Sequence, residues 1–238
     1  MYWGYTLRSY LPGAVGVSRL SVYDTTAPDG LHGGTPHMHL TCSEGYVVIA
    51  GQGHVQTLSG EGYRETPLKP GTVAWFRPGT IHRLVNEDGL QLVVLMQNAG
   101  LPEAGDAVLT FPVDVLGDPE RYRAAATLPG GADLGPAYRR RDLAVTGFLA
   151  MRAAGPEAFT EFCRTAAALV APKLADWRRR WETGPLEVTL ETGRQLDALE
   201  KSDPAHLAAG GIEVLANPTE SGKHGMCGLL ETYIPVSS

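Results

Sequence analysis

The sequence predicts a mainly β fold, an antiparallel sandwich or barrel of short strands, followed by an α-helical extension. In the first half, β-rich runs such as residues 46–50 and 92–96 are separated by glycine and proline turns, as in sandwiches and barrels. Residues 17–23 alternate apolar and polar side chains, which is the period of a strand with one buried face. From Asp118 onward the composition changes to good helix formers.

Turn residues indicate where the strands of the first half end. The run at 46–50 stops at Gly51 and Gly53, which predict a tight reversal into the next strand. Two further turns are predicted at Pro70–Gly71 and Asp88–Gly89, because both dipeptides are typical of tight turns. The strands are therefore expected to follow one another at close spacing.

The helical half begins at a capping residue. Asp118 precedes a proline, which favours the first helical position, and this spacing predicts a helix over 119–126. Further helices are predicted over 138–153 and from 156 towards 181, where large apolar residues fall on one face. Pro172 lies inside the last of these, so a kink or a break is expected there.

These patterns divide the chain into three parts. We predict a β-barrel at residues 1–113, a helical extension at 114–200 and a C-terminal tail at 201–238. The extension is interpreted as a lid or a dimer surface. Within the tail, residues 228–235 are expected to return a strand to the barrel.

Charge and cysteine content restrict the function. The formal net charge of -6 argues against nucleic acid as the main partner, and the arginine runs at 139–141 and 178–180 are interpreted as solvated helix faces. Three widely separated cysteines do not form a disulfide framework, and the first residues carry no signal-peptide pattern. No apolar run is long enough to span a bilayer. The sequence therefore indicates a cytoplasmic protein without nucleic-acid or membrane partners.

Three histidines and a glutamate carry the candidate chemistry. His37 and His39 are separated by one residue, so they lie on the same face of a strand. Glu44 begins the next β-rich run, and His82 comes from a distant strand. Three imidazoles and a carboxylate on the inner face of a barrel suit one divalent transition metal, which can be Fe, Mn, Ni, Co or Zn. Four protein ligands leave coordination positions open, as in catalytic metal sites.

These two blocks resemble the two motifs of the cupin superfamily. The first block has the histidine pair and the glutamate followed by Gly51, and the second has Gly79, His82 and Asn86 in the expected relation. Arg77 stands where the family usually has proline, which alters a loop and leaves the ligands in place. The resemblance implies an antiparallel double-stranded β-helix, the jelly-roll barrel, in which the three histidines and the glutamate hold the metal.

Further residues are predicted to contact a small-molecule substrate, namely Tyr46, His54, Trp75 and Arg77. Tyr46 shares the face of Glu44, although core packing is an equal alternative, and His54 can also be a rim residue. Trp75 and Phe76 lie on opposite faces of one strand, so one of them lines the barrel. His32 is interpreted as a loop residue and Cys42 as an apolar filler.

Three functions remain open from the sequence. The resemblance to quercetinase-like single-domain cupins implies a dioxygenase in which Glu44 also accepts a substrate proton. The alternative is a metal-dependent isomerase or epimerase acting on a sugar or sugar phosphate, with Arg77 or Arg83 as the phosphate anchor. The third is a small-molecule binding protein without turnover. We expect the dioxygenase, as a homodimer.

Overall fold

The computed structural model describes residues 10–235 as one antiparallel sheet of nine strands with helices inserted after the seventh strand. The strands are β1 (Gly16–Val22), β2 (His37–His39), β3 (Glu44–Ser59), β4 (Gly62–Leu68), β5 (Val73–Phe76), β6 (Ile81–Met96), β7 (Ala107–Leu109), β8 (Glu220–His224) and β9 (Gly228–Tyr233). The helices are α1 (Val113–Leu116), α2 (Pro119–Ala126), α3 (Gly135–Ala154), α4 (Pro156–Val170), α5 (Leu174–Trp181) and α6 (Glu187–Glu200). Residues 1–9, on which the signal-peptide interpretation partly rests, and 236–238 lie outside the described residues.

Strands β3 and β6 pair along most of their length and belong to two layers of the sheet. Their register shifts between Val48 and Gly53, and such bulges bend a strand pair. One end of the pair contributes to the first layer, β5–β3–β6–β1–β9–β8, and the other end to the second layer, β4–β3–β6–β2–β7. The strand path does not close on itself, so the predicted barrel is an open two-layered sheet, consistent with a jelly roll.

Two of the predicted turns are bends within continuous strands. The glycines at Gly51 and Gly53 do not end a strand, because β3 continues through both of them, and Asp88–Gly89 likewise lies inside β6. Gly51 has a φ of 69°, and a Cβ there would lie 2.2 Å from the carbonyl oxygen of Gly89. Only glycine permits this approach, so the sequence signal reflects a bulge. The predicted turn at Pro70–Gly71 does separate β4 from β5.

Apolar side chains fill the space between the two layers. The buried members of this interior cluster are Leu20, Val22, Tyr46, Val48, Val55, Leu68, Phe76, Leu84, Leu90, Leu92, Val94 and Cys227. They come from both layers and occupy alternate positions along each strand, as expected for strands with one inward face. Phe76, and not Trp75, is the aromatic residue of β5 that faces inward.

The helices cover the outer face of the second layer. A separate apolar cluster joins Met38 and Ile81 of that layer to Phe148, Phe162 and Trp177 of α3, α4 and α5. Two sequence predictions within the helices are confirmed by the structure. The carboxylate of Asp118 accepts hydrogen bonds from the first turn of α2, and the long helix breaks at Pro172, between α4 and α5.

The predicted solvation of the first arginine run is wrong for two of its three residues. Arg140 and Arg141 are buried. Arg141 donates to the carbonyl oxygens of Thr25 and Thr26, and Arg140 donates to that of Gly225. These carbonyls lie outside the nine strands, and the guanidinium groups satisfy them. In the second run, Arg179 and Arg180 are solvated and pair with Asp176 on their own helix.

The C-terminal segment reaches the sheet, as the sequence predicts. Strand β9 lies antiparallel to β1, and Leu230 is paired with Leu20. All three cysteines of the chain are free thiols. Within residues 10–235, none of the helices combines the length and the apolar character needed to cross a membrane.

Arg83, one of the two arginines that the sequence suggests as a phosphate anchor, is completely buried on the outward side of β6. Its guanidinium pairs with the Asp29 carboxylate, and its Nε donates to the Gly34 carbonyl oxygen at 3.1 Å. Burial raises the pKa of Asp29, but the hydrogen bonds from Arg83 outweigh burial and the pKa is lowered. The Arg83 guanidinium therefore holds the loop before β2 in place and is not free to bind a phosphate.

We expect Arg83→Met to lower the free energy of unfolding by about 1–3 kcal/mol, because it leaves the partly buried Asp29 carboxylate without its charged partner. Chemical denaturation measures this change. Arg77→Met is the matched control, since Arg77 is exposed, and its effect should stay within about 0.5 kcal/mol. Equal stability of the two variants would contradict a structural role for the ion pair.

Candidate metal centre

The structure brings together the four side chains that the sequence singles out. His37 and His39 come from β2, Glu44 from the start of β3 and His82 from β6. Their ligand atoms all lie within 4.8 Å of one another, and all four residues are buried. The second layer supplies the histidines and the first layer supplies the glutamate, so the cluster lies between the layers.

Strand alternation explains this convergence. His37 is the cross-strand partner of His82, so their side chains point to the same face of the second layer. His39 follows two residues after His37 on that face. Met38, between them, points outward and packs in the helix-side cluster. The short strand β2 therefore presents two imidazoles inward and one thioether to the helices.

Hydrogen bonds at the Nδ1 atoms orient the three imidazoles. His37 Nδ1 lies 2.8 Å from the Thr35 carbonyl oxygen, and His82 Nδ1 lies 3.1 Å from that of Thr80. A carbonyl oxygen can only accept, so each Nδ1 carries a proton and the lone pair of the neutral ring is at Nε2. His39 Nδ1 lies 3.1 Å from Oδ2 of Asp106, which has the same effect. This orientation is typical of metal-binding histidines.

The Nε2 atoms face a carboxylate at short range. His82 Nε2 is 2.8 Å and His39 Nε2 is 3.3 Å from Oε2 of Glu44. Among the described residues, neither His82 Nε2 nor Glu44 Oε2 has a hydrogen-bond partner of acceptable geometry, although both atoms are buried. A lone pair on nitrogen and an anionic oxygen repel at this distance unless a cation lies between them. The donor set and its geometry therefore fit a divalent metal ion.

Electrostatics keep most of the cluster in the metal-binding protonation state. Burial, reinforced by the neighbouring His82 and His39, holds the pKa of His37 well below its usual value. Burial raises the pKa of Glu44, but His82 and His39 outweigh it and the pKa falls well below its usual value. For His39, burial lowers the pKa, but the carboxylates of Asp106 and Glu44 on either side of the ring raise it to about 9. A metal ion must therefore displace a proton from His39.

Asp106 supports the cluster, and the sequence did not point to it. It is completely buried just before β7, and its carboxylate accepts from the Thr41 backbone N–H at 2.9 Å and the Thr41 hydroxyl at 2.6 Å as well as bonding His39. Burial raises the pKa of Asp106, but its hydrogen bond with His39 contributes to a net lowering. Asp106 and His39 are 67 positions apart, and one aspartate before a short apolar run is no signal on its own.

We expect Asp106→Asn to weaken metal binding by about 10–100-fold, because outer partners of metal-bound histidines typically contribute this much. A neutral amide holds the His39 ring less firmly and makes Nε2 a poorer donor. Competition titration against a chelator measures the affinity. Asp88→Asn, at an exposed position in the bend of β6, is the matched control and should bind normally. Equal affinities for the two variants would contradict the support role.

Tyr46 and Phe76 form the apolar side of the cluster. The Phe76 ring stacks on the His82 ring at a centroid distance of 4.6 Å, and the Tyr46 ring meets Phe76 edge-on at 5.1 Å. Burial and the Glu44 carboxylate hold the pKa of Tyr46 well above its usual value, so it remains a neutral phenol. The predicted position of Tyr46 beside Glu44 is therefore observed.

The structure does not bring the other predicted substrate residues to the cluster. Trp75 is 72% exposed on the outer face of the first layer, because it follows Ala74 and precedes the inward-facing Phe76. His54 Nδ1 lies 2.8 Å from a carboxylate oxygen of Glu87, away from the interior. Arg77 is exposed in the turn before β6, and Gly79 of that turn donates to the His39 carbonyl oxygen at 2.9 Å.

The two residues that the sequence excluded as ligands lie elsewhere. Cys42 packs in the helix-side cluster, where it acts as an apolar filler. His32 is paired with Asp24 at 2.8 Å through Nδ1 and lies 3.1 Å from the Thr26 hydroxyl through Nε2. Both interpretations agree with the structure.

Comparison with known proteins finds one family model that matches part of the chain. Residues 24–97 match the family model described as "Cupin domain". No curated protein matches the chain significantly. The matched segment contains all four residues of the cluster, but not Asp106 or the helices.

Several solved structures are similar to part of the chain. CapF with the inhibitor 3-isopropenyl-tropolone is 16% identical, with a TM-score of 0.33, over 42% of this chain and 29% of that chain. An uncharacterized double-stranded β-helix protein from Klebsiella pneumoniae is 21% identical, with a TM-score of 0.27, over 35% and 64%. The TDP-quinovose 3,4-ketoisomerase WlaRB from Campylobacter jejuni is 16% identical, with a TM-score of 0.29, over 34% and 60%. Each match spans less than two thirds of the solved chain.

Proposed function

From the premise that residues 24–97 form a cupin domain of the cupin superfamily, we propose that this chain is a metal-dependent dioxygenase acting on a small, oxygen-bearing and largely apolar metabolite. The observation that most supports this proposal is the close approach of His82 Nε2 and Glu44 Oε2 in a buried, apolar setting. These atoms fit a cation, and the surrounding side chains fit an apolar substrate. The four ligands are His37, His39, Glu44 and His82.

Bound by these ligands, a divalent transition metal would supply Lewis acidity and, if redox-active, electron exchange with dioxygen. The chain's own residues have separate tasks. The three imidazoles hold the ion, and their Nδ1 hydrogen bonds fix the direction of each Nε2 lone pair. Phe76 and Tyr46 exclude water from one side of the cluster, which strengthens every electrostatic interaction inside it.

Glu44 is proposed to accept a proton as well as to bind the metal. Its low pKa keeps the carboxylate ionised at neutral pH. An ionised carboxylate can accept the proton of a substrate hydroxyl within hydrogen-bond reach if a bound metal raises the acidity of that hydroxyl. Glu44 is buried beside Tyr46, which stays protonated and cannot take the proton. The proton therefore stays between the Glu44 carboxylate and the substrate. A substrate with a hydroxyl next to a second oxygen atom suits this arrangement.

Apolar surroundings favour a neutral substrate over a phosphorylated one. Aliphatic and aromatic side chains pack around Tyr46 and Phe76 between the two layers. Of the buried arginines, Arg83 pairs with a carboxylate, and Arg140 and Arg141 are held by backbone carbonyl oxygens. These three guanidinium groups are therefore already paired, which leaves Arg77, an exposed residue, as the other phosphate anchor that the sequence suggests.

The second candidate is an isomerase or epimerase of an unphosphorylated sugar. Tyr46 is the observation that favours it, because a neutral phenol beside the Glu44 carboxylate provides an acid and a base at one site. Moving a proton next to a carbonyl group needs both. The side chains that pack around Tyr46 in the interior cluster are aliphatic and aromatic, so we rank this function second.

Oxygen consumption tests the proposal. The protein, loaded separately with Fe, Mn, Ni, Co or Zn, would be mixed with flavonols, catechols and other enediol-type compounds in an oxygen electrode. We expect consumption with at least one redox-active metal and none with Zn. Conversion of a free sugar without oxygen uptake would establish the second candidate. Tight ligand binding with no conversion would indicate a binding protein and contradict the enzyme.

A further inference from the structure

The three imidazoles of the candidate metal centre are oriented in two different ways. The Nδ1 atoms of His37 and His82 each bond to a carbonyl oxygen two positions earlier in the chain. The Nδ1 atom of His39 bonds instead to the carboxylate of Asp106, 67 positions away. Local backbone therefore fixes two of the rings, whereas the orientation of the third depends on a segment outside residues 24–97.

Asp106 ends a run of tight turns between β6 and β7, which we call the turn segment (residues 98–106). Thr41 holds Oδ1 of the Asp106 carboxylate, and Oδ2 faces the imidazole. The two backbone hydrogen bonds of Asp106, to Leu101 at 3.3 Å and to Leu40 at 3.4 Å, are long. Such bonds are usually about 2.9–3.0 Å. The position of this backbone, and with it the direction of Oδ2, therefore depends on further contacts to the turn segment.

Helix α5 and the residue before it supply such contacts. The indole Nε1 of Trp177 donates to the Ala104 carbonyl oxygen at 3.2 Å. The Lys173 ammonium group donates to the Gly105 carbonyl oxygen at 3.4 Å. Two consecutive carbonyl groups immediately before Asp106 thus accept hydrogen bonds from the helical extension. Both donors come from the same end of one helix, four positions apart, so they lie on one face of it.

Trp177 is the stronger of these two restraints. It is 3% exposed, and its ring belongs to the same apolar cluster as Leu101 of the turn segment. One rigid side chain thus combines apolar packing with a hydrogen bond. Lys173 is exposed, and ordering its long side chain costs conformational entropy. Its contact with the Gly105 carbonyl oxygen therefore contributes less.

We propose that Trp177 is a positioning residue of the metal centre, acting through Ala104 and Asp106 on the ring of His39. The proposal rests on the metal binding put forward above and is independent of the reaction. While the indole N–H holds the turn segment, the Asp106 carboxylate stays in line with His39 Nδ1, and Nε2 keeps its direction towards the centre. The helical extension thereby sets the affinity of the cupin domain for its metal.

Zinc affinity in a double-mutant cycle tests the proposal. Trp177→Phe keeps an aromatic ring in the apolar cluster but removes the N–H donor. We expect it to weaken zinc binding by about 2–10-fold, which is what one net hydrogen bond typically contributes. In an Asp106→Asn background the same change should have no further effect, because the carboxylate through which Trp177 acts is already lost. Competition titration against a chelator measures the four affinities.

Trp181→Phe is the matched control, because it is the same substitution one turn further along α5. Trp181 packs beside the same apolar cluster but makes no hydrogen bond to the described residues 98–106, so zinc affinity should be unchanged. Equal affinities of Trp177→Phe and wild type, or an equal loss in both backgrounds, would overturn the proposal. No zinc binding by the wild type would overturn the metal centre itself, and this proposal with it.

A second measurement needs no metal and separates positioning from a general loss of stability. In the metal-free protein the His39 Nδ1–H proton is buried and bonded, so we expect NMR to detect it, with His39→Ala identifying the signal. It should exchange with water faster in Trp177→Phe, while the corresponding proton of His82 should be unchanged. Faster exchange of both protons, or of neither, would overturn the proposal. If the phenylalanine variant does not fold, benzothienylalanine at position 177 removes the N–H group and keeps the ring shape.

Discussion

Replacing His82 with alanine is expected to leave the purified protein without its metal. The change removes the Nε2 donor that lies 2.8 Å from Glu44 and leaves that carboxylate buried beside two imidazoles. Loss of a direct ligand should weaken metal binding more than loss of Asp106, for which we expect a decrease of about 10–100-fold. Elemental analysis of protein expressed without added metal measures the effect, and a chelator titration gives the affinity.

His54→Ala is the matched control for this experiment. It removes the same kind of side chain, from the strand paired with β6, but His54 bonds to Glu87 away from the interior. Its metal content should equal that of the wild type. Circular dichroism and thermal unfolding would establish that both variants fold. A normal metal content in folded His82→Ala protein would show that the cluster is not the metal site.

Replacing Glu44 with glutamine is expected to lower kcat while the metal stays bound. Glu44→Gln keeps an oxygen that can face the ion but loses the ability to take a proton, so we expect much of the metal to stay bound. General-base catalysis typically contributes about 10²–10⁴-fold to rate, and kcat should fall by that amount. The measurement compares kcat per bound metal with that of the wild type, using the substrate found in the oxygen screen.

Glu65→Gln provides the control, because Glu65 lies on β4 away from the cluster and bonds to Tyr63 and Gln56. It should retain full turnover and full metal content. If Glu44→Gln turned over at the wild-type rate per metal, Glu44 would be a ligand only. The substrate proton would then have to be accepted by another group, and Tyr46 is not that group, because its phenol stays protonated.

The four residues of the candidate metal centre could be predicted from sequence in two steps. Strand alternation alone places His37 and His39 on one face, and the cupin resemblance adds Glu44 and His82. The same alternation could not decide between Trp75 and Phe76, since it places one inward without saying which. The pairing of β5 with β3 decides this, because it puts Phe76 opposite Glu44 and Trp75 opposite Gly45.

Long-range contacts explain what the sequence did not reveal. Asp106 meets His39, and Arg83 meets Asp29, only after distant segments pack together. The run at Arg139–Arg141 has the appearance of a solvated helix face, yet its last two residues are buried against irregular backbone. Similarly, the glycines at Gly51 and Gly89 indicate backbone freedom, which serves a bulge as well as a turn.

The pairing of β9 with β1 ties the end of the described chain to its beginning. Leu20 is paired with Leu230, and Cys227 fills the interior beside Tyr46. During synthesis, β1 must therefore wait with one backbone edge unpaired until β9 has left the ribosome. Such long sequence separation slows folding and favours association of incomplete chains. Emergence of β9, rather than synthesis of residues 24–97, is therefore the step at which the first layer can be completed.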